Sequence, residues 1–593
     1  MSVTVGKRIL QRLIDWGIPR VYGYPGDGIN GILGGWHGLE EQLPFIQTRH
    51  EELASFAACA HAKFTGQVGV CMSTSGPGAV HLLNGLYDAR LDHQPVVAII
   101  GQQARASIGA DYQQEIDLIS LYKDVAREYV QVLNVPAQTD LLIDRAIRVA
   151  IASRSVTCVI VPNDVQELEY EEPSRTHGEV YSSVGYASPR TVPEPSQLDA
   201  AAQVLNEGSK VAMLIGQGAI GAAAEVRQVA ELLGAGVAKA LNGKAALSDE
   251  LPYVTGGIGL LGTKPSNDMI ESCDTLLMVG TNFPYAEWLP EPGQARCVQI
   301  DIDGRLLGMR YPTEVPLVGD ARATLAELIP RLQRKEDRSF QDGLVEGVTR
   351  WWAILDDRAH QDADPLNPQR VFHELSERLP DRAILTSDSG SATNWWARHV
   401  KVREDMMCAL SGTLATMCPA VPYALAAKFA HPDRPVIAAI GDGAMQMIGI
   451  NALIDIARYR DRWANETLVI ALLHNNDLNQ VTWEQRVMSG DPRLAMSQQL
   501  PDFDYAGYAR LLGLEGIRVD SPDAVGPAWE RALSASGPVL LEFITDPEVP
   551  PLPPHIRFEQ AEGMAKTLAK RDPASMQMVK ESFKGKLAEF VNR

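Results

Sequence analysis

The stretch "IAAIGDGAMQMIGINALIDIARY" runs from Ile437 to Tyr459. A short apolar run stops at Gly441-Asp442-Gly443, and a helical periodicity takes over. A second apolar run, "LVIALLHNND" from Leu468 to Asp477, ends on Asn475 and Asn476. Apolar strands followed by crossover helices belong to parallel sheets covered on both faces. In such sheets ligands bind outside the carboxyl ends of the strands. An Asp at a strand tip can be a simple helix N-cap. Three features point further. The flanking glycines admit close approach by a ligand. The helix that starts there turns its anion-favouring N-terminus to the same spot. A second strand tip brings amide oxygens one helix later. A carboxylate and an amide oxygen with open positions left over suit Mg²⁺ bound to a diphosphate. Asp442 and Asn476 are therefore expected to be ligands of a metal that holds a diphosphate ester.

The same strand–turn–helix pattern occurs in two further regions. Residues 1–180 hold "VGVCMSTSGPG" and "PVVAIIGQ". After the Pro-rich linker "SPRTVPEPS" (188–196), residues 190–335 hold "KVAMLIGQGAIG", "TLLMVGTNFPY" and "RCVQIDID". Residues 365–550 add "RAILTSDSGS" and "PVLLEFITD" to the two runs quoted above. The expected class is α/β: three doubly wound parallel-sheet domains, followed by a C-terminal tail over 551–593. No short internal repeat is visible.

Composition narrows the function classes. The chain has 593 residues, 45% hydrophobic and 22% charged, with a net charge of −20. An acidic surface of that size argues against nucleic acid as a partner. Seven cysteines are scattered singly without a C-x-x-C, which argues against a zinc site or disulfide framework and for a reducing, cytoplasmic location. The N-terminus carries charges where a signal peptide needs an apolar run. No stretch approaches the roughly 20 apolar residues that span a bilayer.

"GDG" followed by "NN" resembles the signature of thiamine-diphosphate-dependent enzymes, with the intervening loop lengthened by "RYRDRWANE". "TRHEELASFAACAHAKFTG" (48–66) resembles the segment that carries that family's catalytic glutamate, and "STSGPGAVHLLNGLYDARLDHQPVVAIIGQ" (73–102) the loop and helix after it. "DYQQEIDL" (111–118) resembles the substrate-side loop. "GQGAIG", "GTNFPYAEW" and "VQIDIDGRLLG" resemble the flavin-binding domain of the pyruvate oxidases. The resemblance covers residues 1 to about 550 in order. It is strongest to flavin-dependent pyruvate oxidase, in the group that includes acetolactate synthase.

The resemblance implies roles residue by residue. Glu51 matches the glutamate that hydrogen-bonds the pyrimidine ring of the cofactor; as a plain structural group it would complement a helix N-terminus. His81 and Gln114 match polar residues facing the substrate. Met417 in "TLATMCP" matches the bulky residue under the thiazolium, although methionine is more commonly a core residue. Asp388, Ser389 and Ser391 in "SDSGS" fall where a strand tip meets the diphosphate; Gly26, Ser75, Gly441, Gly443 and Ala444 are further cofactor-binding residues. Leu478 offers a backbone carbonyl to Mg²⁺ beside Asp442 and Asn476. For FAD, Gly216, Gly218, Gly280, Thr281, Asn282, Asp301 and Asp320 are the expected contacts. Two departures stand out: Gln113 where the family usually has Phe, and Gln480 where it usually has Gly.

The cofactors implied are thiamine diphosphate, Mg²⁺ and FAD. The activity implied is decarboxylation of a 2-oxo acid, pyruvate first, with oxidation of the resulting enamine by FAD. A carboligase like acetolactate synthase, with non-redox FAD, stays open, as does a non-enzymatic assembly partner, which the presence of Glu51, Asp442 and Asn476 disfavours. In this family the active site lies between two subunits, so a homodimer at least, and a homotetramer from the oxidase resemblance, is expected. Met576, Val579, Phe583, Leu587 and Phe590 fall at helical spacing in the tail. That stripe is expected to pack on protein. Membrane contact is the rival, which the acidic charge disfavours.

Overall fold

Runs rich in Val, Ile and Leu form strands here because branched side chains fill a pleated surface well. The computed structural model of the chain describes residues 3–174, 176–551, 553, 558–570 and 572–578. Its strands form three six-stranded sheets. Neighbouring strands in them run parallel, as between Val436–Gly441 and Leu468–His474.

In the first sheet the spatial order is Phe45–Gln47, Val21–Gly23, Gly69–Ser73, Val96–Gln102, Val156–Pro162, Val130–Val132. The third sheet runs Met407–Ala409, Ile384–Ser387, Val436–Gly441, Leu468–His474, Pro538–Ile544, Glu515–Val519. Numbered along the chain, both orders read second, first, third, fourth, sixth, fifth. Two domains with no visible sequence repeat thus have one topology. The central sheet differs: its strands, counted from Val211–Ile215, lie in the order third, second, first, fourth, fifth, sixth. That is the order of dinucleotide-binding domains, whose ligand sits where the strand order reverses.

Side chains alternate across a strand, so each sheet feeds two cores. Cys71, Ala98 and Ile160 point into one core, and Met72, Ile99 and Val159 into another. The first of these cores is continuous with the third sheet through Val436, Ala438 and Ile470. Between the two sheets the helix Glu51–Thr65 packs on the helix Ala420–Ala430. Both are rich in alanine, which lets their backbones approach closely. Tyr423 of the second helix donates its hydroxyl to the buried Asp88.

Asp92 joins all three domains. Its carboxylate accepts from Lys63 Nζ at 2.7 Å and from the amides of Gly412 and Thr413 at 2.9 and 2.8 Å, while its carbonyl accepts from Gln217 Nε2 of the central domain at 2.7 Å. Burial works against that charge; Lys63 and the two amides outweigh it and hold the carboxyl below its usual range.

The C-terminal helix Phe558–Ala569 packs on the segment Gln485–Ser489. Arg486, buried, is paired with Glu548 at 2.7 Å and with Asp572 at 2.9 Å. The expected stripe meets a correction where it can be seen. Met576 is 89% exposed, and Met578 is the residue buried against Trp483 and Val487. Val579, Phe583, Leu587 and Phe590 lie outside the described residues. Among the described residues no helix is long and apolar enough to cross a membrane.

Candidate active site

Each outer sheet reverses strand order between its first and third strands, and the expected cofactor residues lie at those two points. In the third sheet the strand Val436–Gly441 delivers Asp442 into a helix that widens to a π turn over Met445–Gly449, a feature frequent at functional sites. Asp442 is buried. Its Oδ2 accepts the amides of Asn475 and Asn476 at 2.8 and 2.6 Å, and its Oδ1 that of Gly443 at 2.9 Å. Burial raises its pKa to about 6, with the two asparagine amides pulling the other way. Asn476 sits at φ 56°, a left-handed conformation that Asn tolerates better than most residues. Its Oδ1 lies 2.7 Å from His474 Nε2, and His474 Nδ1 lies 2.7 Å from Glu542 Oε1. Burial opposes a charge on His474; Glu542 and Asn476 prevail and raise its pKa. The imidazole therefore orients the asparagine amide, as outer-shell partners of metal ligands commonly do.

A Cβ at Gly443 would stand 2.7 Å from Leu478 Cδ2 and 3.3 Å from Met417 Cε, so these three residues converge; at Gly441 it would meet nothing within 4 Å. The tip is thus open at Gly441 and closed by side chains at Gly443. Asp442 Oδ1, Asn476 Oδ1 and the Leu478 carbonyl, which also accepts the Thr482 amide at 3.0 Å, are oxygen donors of the kind that fits Mg²⁺.

In the first sheet, Glu51 opens its helix, where the helix dipole favours a carboxylate. It is 8% exposed. Its Oε2 lies 3.0 Å from His81 Nδ1, and a Cβ at Gly78 would come within 3.1 Å of its Oε1. The His81 ring stands 4.5 Å from that of His50, which caps the helix by accepting the Glu52 amide at 3.2 Å. Ser75 Oγ donates to Gln114 Oε1 at 3.3 Å and accepts from Gln103 Nε2 at 3.2 Å. Gln114 adopts φ 62° under Gly76, where a Cβ would meet its own at 2.8 Å. Gly26 lies against Thr74. Glu51 with His81, and Ser75 with Gln114, are thus two pairs along the 75–81 segment; Gln113 is exposed beside the second.

The first-sheet and third-sheet residues are tied through their surroundings. Asn84 Nδ2 donates to Glu52 Oε1 at 2.6 Å and to Thr416 Oγ1 at 3.0 Å. The segment entering Glu51 is docked on the helix Ile450–Tyr459: the Arg49 amide donates to Asp455 Oδ2 at 3.1 Å and the Gln47 amide to Tyr459 Oη at 2.9 Å.

In the central sheet, Gly216, Gly218 and Gly280 meet where strand order reverses. A Cβ at Gly218 would stand 2.7 Å from Gly280 Cα, so two turns touch backbone to backbone. Next to them Thr281 is buried, and Asn282 Oδ1 is shut from solvent with no hydrogen-bond partner. Asp301, at its strand end, accepts the Asp303 amide at 2.9 Å, and burial raises its pKa. An orphaned amide oxygen beside a glycine turn at this position fits a dinucleotide with donors to offer.

Two of the expected cofactor residues also serve the fold. Asp388 is one. It is fully buried, and its oxygens accept the amides of Ser389, Cys418 and Ala420 at 3.0, 2.8 and 3.3 Å. It shapes the turn that carries Met417, and burial lifts its pKa to about 7. Asp320 caps the helix Ala321–Leu328 by accepting the Ala323 amide at 2.9 Å. Ser389 donates to the Thr416 carbonyl at 2.7 Å, and Ser391 opens the next helix. Sequence reasoning missed His50, His474 and Glu542. The available signals were a His beside each singled-out residue and one acid inside the apolar strand "PVLLEFI".

The family model described as the thiamine pyrophosphate enzyme N-terminal TPP binding domain matches residues 3–121; the central-domain model matches 198–328 and the C-terminal TPP binding domain model 388–543. YdaP of Bacillus subtilis is 38% identical over 568 residues, 96% of either chain. Pyruvate oxidase of Lactiplantibacillus plantarum is 29% identical over 571 residues, 95% of this chain and 92% of its own. Acetolactate synthase of Arthrospira platensis is 30% identical over 555 residues, 91% and 94% respectively. The last two identities do not separate the two activities.

Proposed function

The chain belongs to the thiamine pyrophosphate (thiamine diphosphate) enzymes, and from that premise we propose that it decarboxylates a 2-oxo acid, pyruvate first, and passes the electrons to FAD. When bound, thiamine diphosphate would supply the nucleophilic carbon and the electron sink for decarboxylation of the 2-oxo acid. FAD supplies a two-electron acceptor. Asp442, Asn476 and the Leu478 carbonyl would hold Mg²⁺ and with it the diphosphate. Glu51 would face the pyrimidine ring through Oε1, while His81, 3.0 Å from Oε2, fixes the orientation of the carboxyl. Gln114 and His81 orient the substrate carboxylate. Met417 and Leu478 exclude water. The first domain of one subunit faces the third domain of another, in at least a homodimer and, by the oxidase resemblance, a homotetramer.

One observation carries the redox reading. The segment that leads to Met417 is held at Gly412 and Thr413 by Asp92, and Asp92 also holds Gln217 in the central domain. A Cβ at Gly412 would collide with Asn242 of that domain. The dinucleotide switch point and the thiamine turn thus lean on one residue, which supports reading the two sites as parts of one arrangement. The test is pyruvate added anaerobically to the flavin-loaded holoenzyme. Bleaching of the flavin absorbance is expected. Unchanged absorbance with acetolactate formed overturns the oxidase reading in favour of carboligation.

A further inference from the structure

We propose a second metal site, remote from the thiamine residues: Asp356 and His360 at the end of the helix Ser339–Ala359, with His373 of the helix Pro368–Arg378, bind a divalent d-block cation of the Zn²⁺ type. Side chains four apart share a helix face. Asp356 and His360 form one such pair, His373 and Glu377 another, and the connection over 360–367 brings the pairs together. Asp356 Oδ1 lies 3.3 Å from His360 Nδ1 and 3.0 Å from His373 Nε2; the same His360 nitrogen also lies 2.9 Å from the Asp356 carbonyl oxygen, a contact that an ion would have to displace. One ligating atom from each residue lies within 4.8 Å of the others. Around a tetrahedral zinc with bonds of about 2.0–2.1 Å, neighbouring donors stand about 3.3 Å apart. The two carboxylate–imidazole spacings already have that edge length, and the rings stand 5.4 Å apart at 80°. Glu377 Oε1, 3.9 Å from His373 Nε2, or water can take the fourth position.

The donor chemistry selects the ion. Two imidazoles and one carboxylate suit Zn²⁺, Co²⁺ or Ni²⁺ and are poor for Mg²⁺, whereas Asp442, Asn476 and Leu478 offer oxygen alone. The His373 side chain is 16% exposed, so an ion can reach it from solvent. The position gives the ion a structural task. The first helix is held to the central domain, where Gln341 Nε2 donates to the Ala235 carbonyl at 2.9 Å. The second is held in the third domain by Trp529 Nε1 on the Val371 carbonyl at 2.9 Å. A bound ion ties the two domains together at this junction.

The test uses the full chain with thiamine diphosphate and excess Mg²⁺. Co²⁺ is the optical probe, and Zn²⁺ is titrated by calorimetry. A single Zn²⁺ per chain and a visible Co²⁺ band of a four-coordinate N/O site are expected. H360Q/H373Q should weaken Zn²⁺ binding by at least about tenfold, the scale of lesser, outer-shell losses, and leave Mg²⁺-dependent cofactor binding unchanged. If the double variant fails to fold, H360Q alone decides, its side chain being 47% exposed; parent-like Zn²⁺ affinity there overturns the proposal. So does parent-like Co²⁺ absorption in the double variant, or the absence of Zn²⁺ binding altogether. Loss of the band in H81Q instead would place the ion at the His50–Glu51–His81 cluster, and the proposal would fall.

Discussion

Asp442→Asn separates two roles that one carboxylate combines. In the cofactor-free protein Oδ2 braces the turn through the Asn475 and Asn476 amides at 2.8 and 2.6 Å, and Oδ1 takes the Gly443 amide at 2.9 Å. An asparagine has one oxygen, so it either keeps the pair and turns its amino group to the metal, or faces the metal and sets its amino group against two N–H donors. Hydrogen bonds to a charged group contribute about 1.5–3 kcal/mol, against about 0.5–1.5 for neutral ones. The brace should therefore weaken by about 2 kcal/mol over two bonds. Loss of an anionic metal donor, taken at the upper end of about 3 kcal/mol, weakens cofactor binding by about a hundredfold. Urea unfolding with and without Mg²⁺ and thiamine diphosphate reads both quantities. At a cofactor concentration about 1,000 times the parent Kd, the ligand adds about 4.1 kcal/mol; with a Kd about a hundredfold higher, it adds about 1.4. If cofactor stabilises the variant as much as the parent, Asp442 is a brace and no ligand, and the assignment of the metal site collapses.

Glu51→Gln should leave the fold intact and slow hydrogen–deuterium exchange at the reactive thiazolium carbon by about a hundredfold or more; exchange at the parent rate would remove Glu51 from the mechanism. Asp92→Asn leaves Lys63 short of a buried partner and should cost about 3 kcal/mol or more at neutral pH. The Asp92 carboxyl is depressed below 3.8 in the fold, so its stabilisation is present above that value and lost as pH falls through the folded one. The gap between parent and variant in urea unfolding should accordingly close below about pH 4, and a gap that widens there contradicts the pairing. Deleting residues 572–593 removes Asp572 from Arg486, which keeps Glu548, and Met578 from its apolar seat, a loss of about 1.5–3 kcal/mol for the charged hydrogen bonds alone. A truncated chain as stable and as assembled as the parent, yet unable to pellet with vesicles that bind the parent, would instead make the tail a membrane contact.

The turns that define the site were legible because their signals are local. A strand running into Gly-Asp-Gly needs only neighbouring residues to be read, and so does a run ending on two asparagines. For the same reason the sequence did not show what holds Asp388 and Asp320. Locally each is an acid at a strand tip, and the backbone amides that take up their oxygens, such as Ala420 for Asp388, come from loops placed by packing. His81 and Glu51 were singled out separately; their 3.0 Å contact bridges 30 residues of chain.

By itself the sequence determined three parallel α/β units, because alternation and apolar runs record burial on either face of a strand, and it determined which tips carry ligand-type residues. Only the tertiary structure decided that the outer sheets have one strand order and the central sheet the dinucleotide order. Strand order depends on which way each crossover helix returns, and residues forming the same local elements can be wound either way. The tertiary structure also decided that Asp92 joins three domains and that His360 meets His373, since both contacts depend on how separate helices and loops are brought side by side.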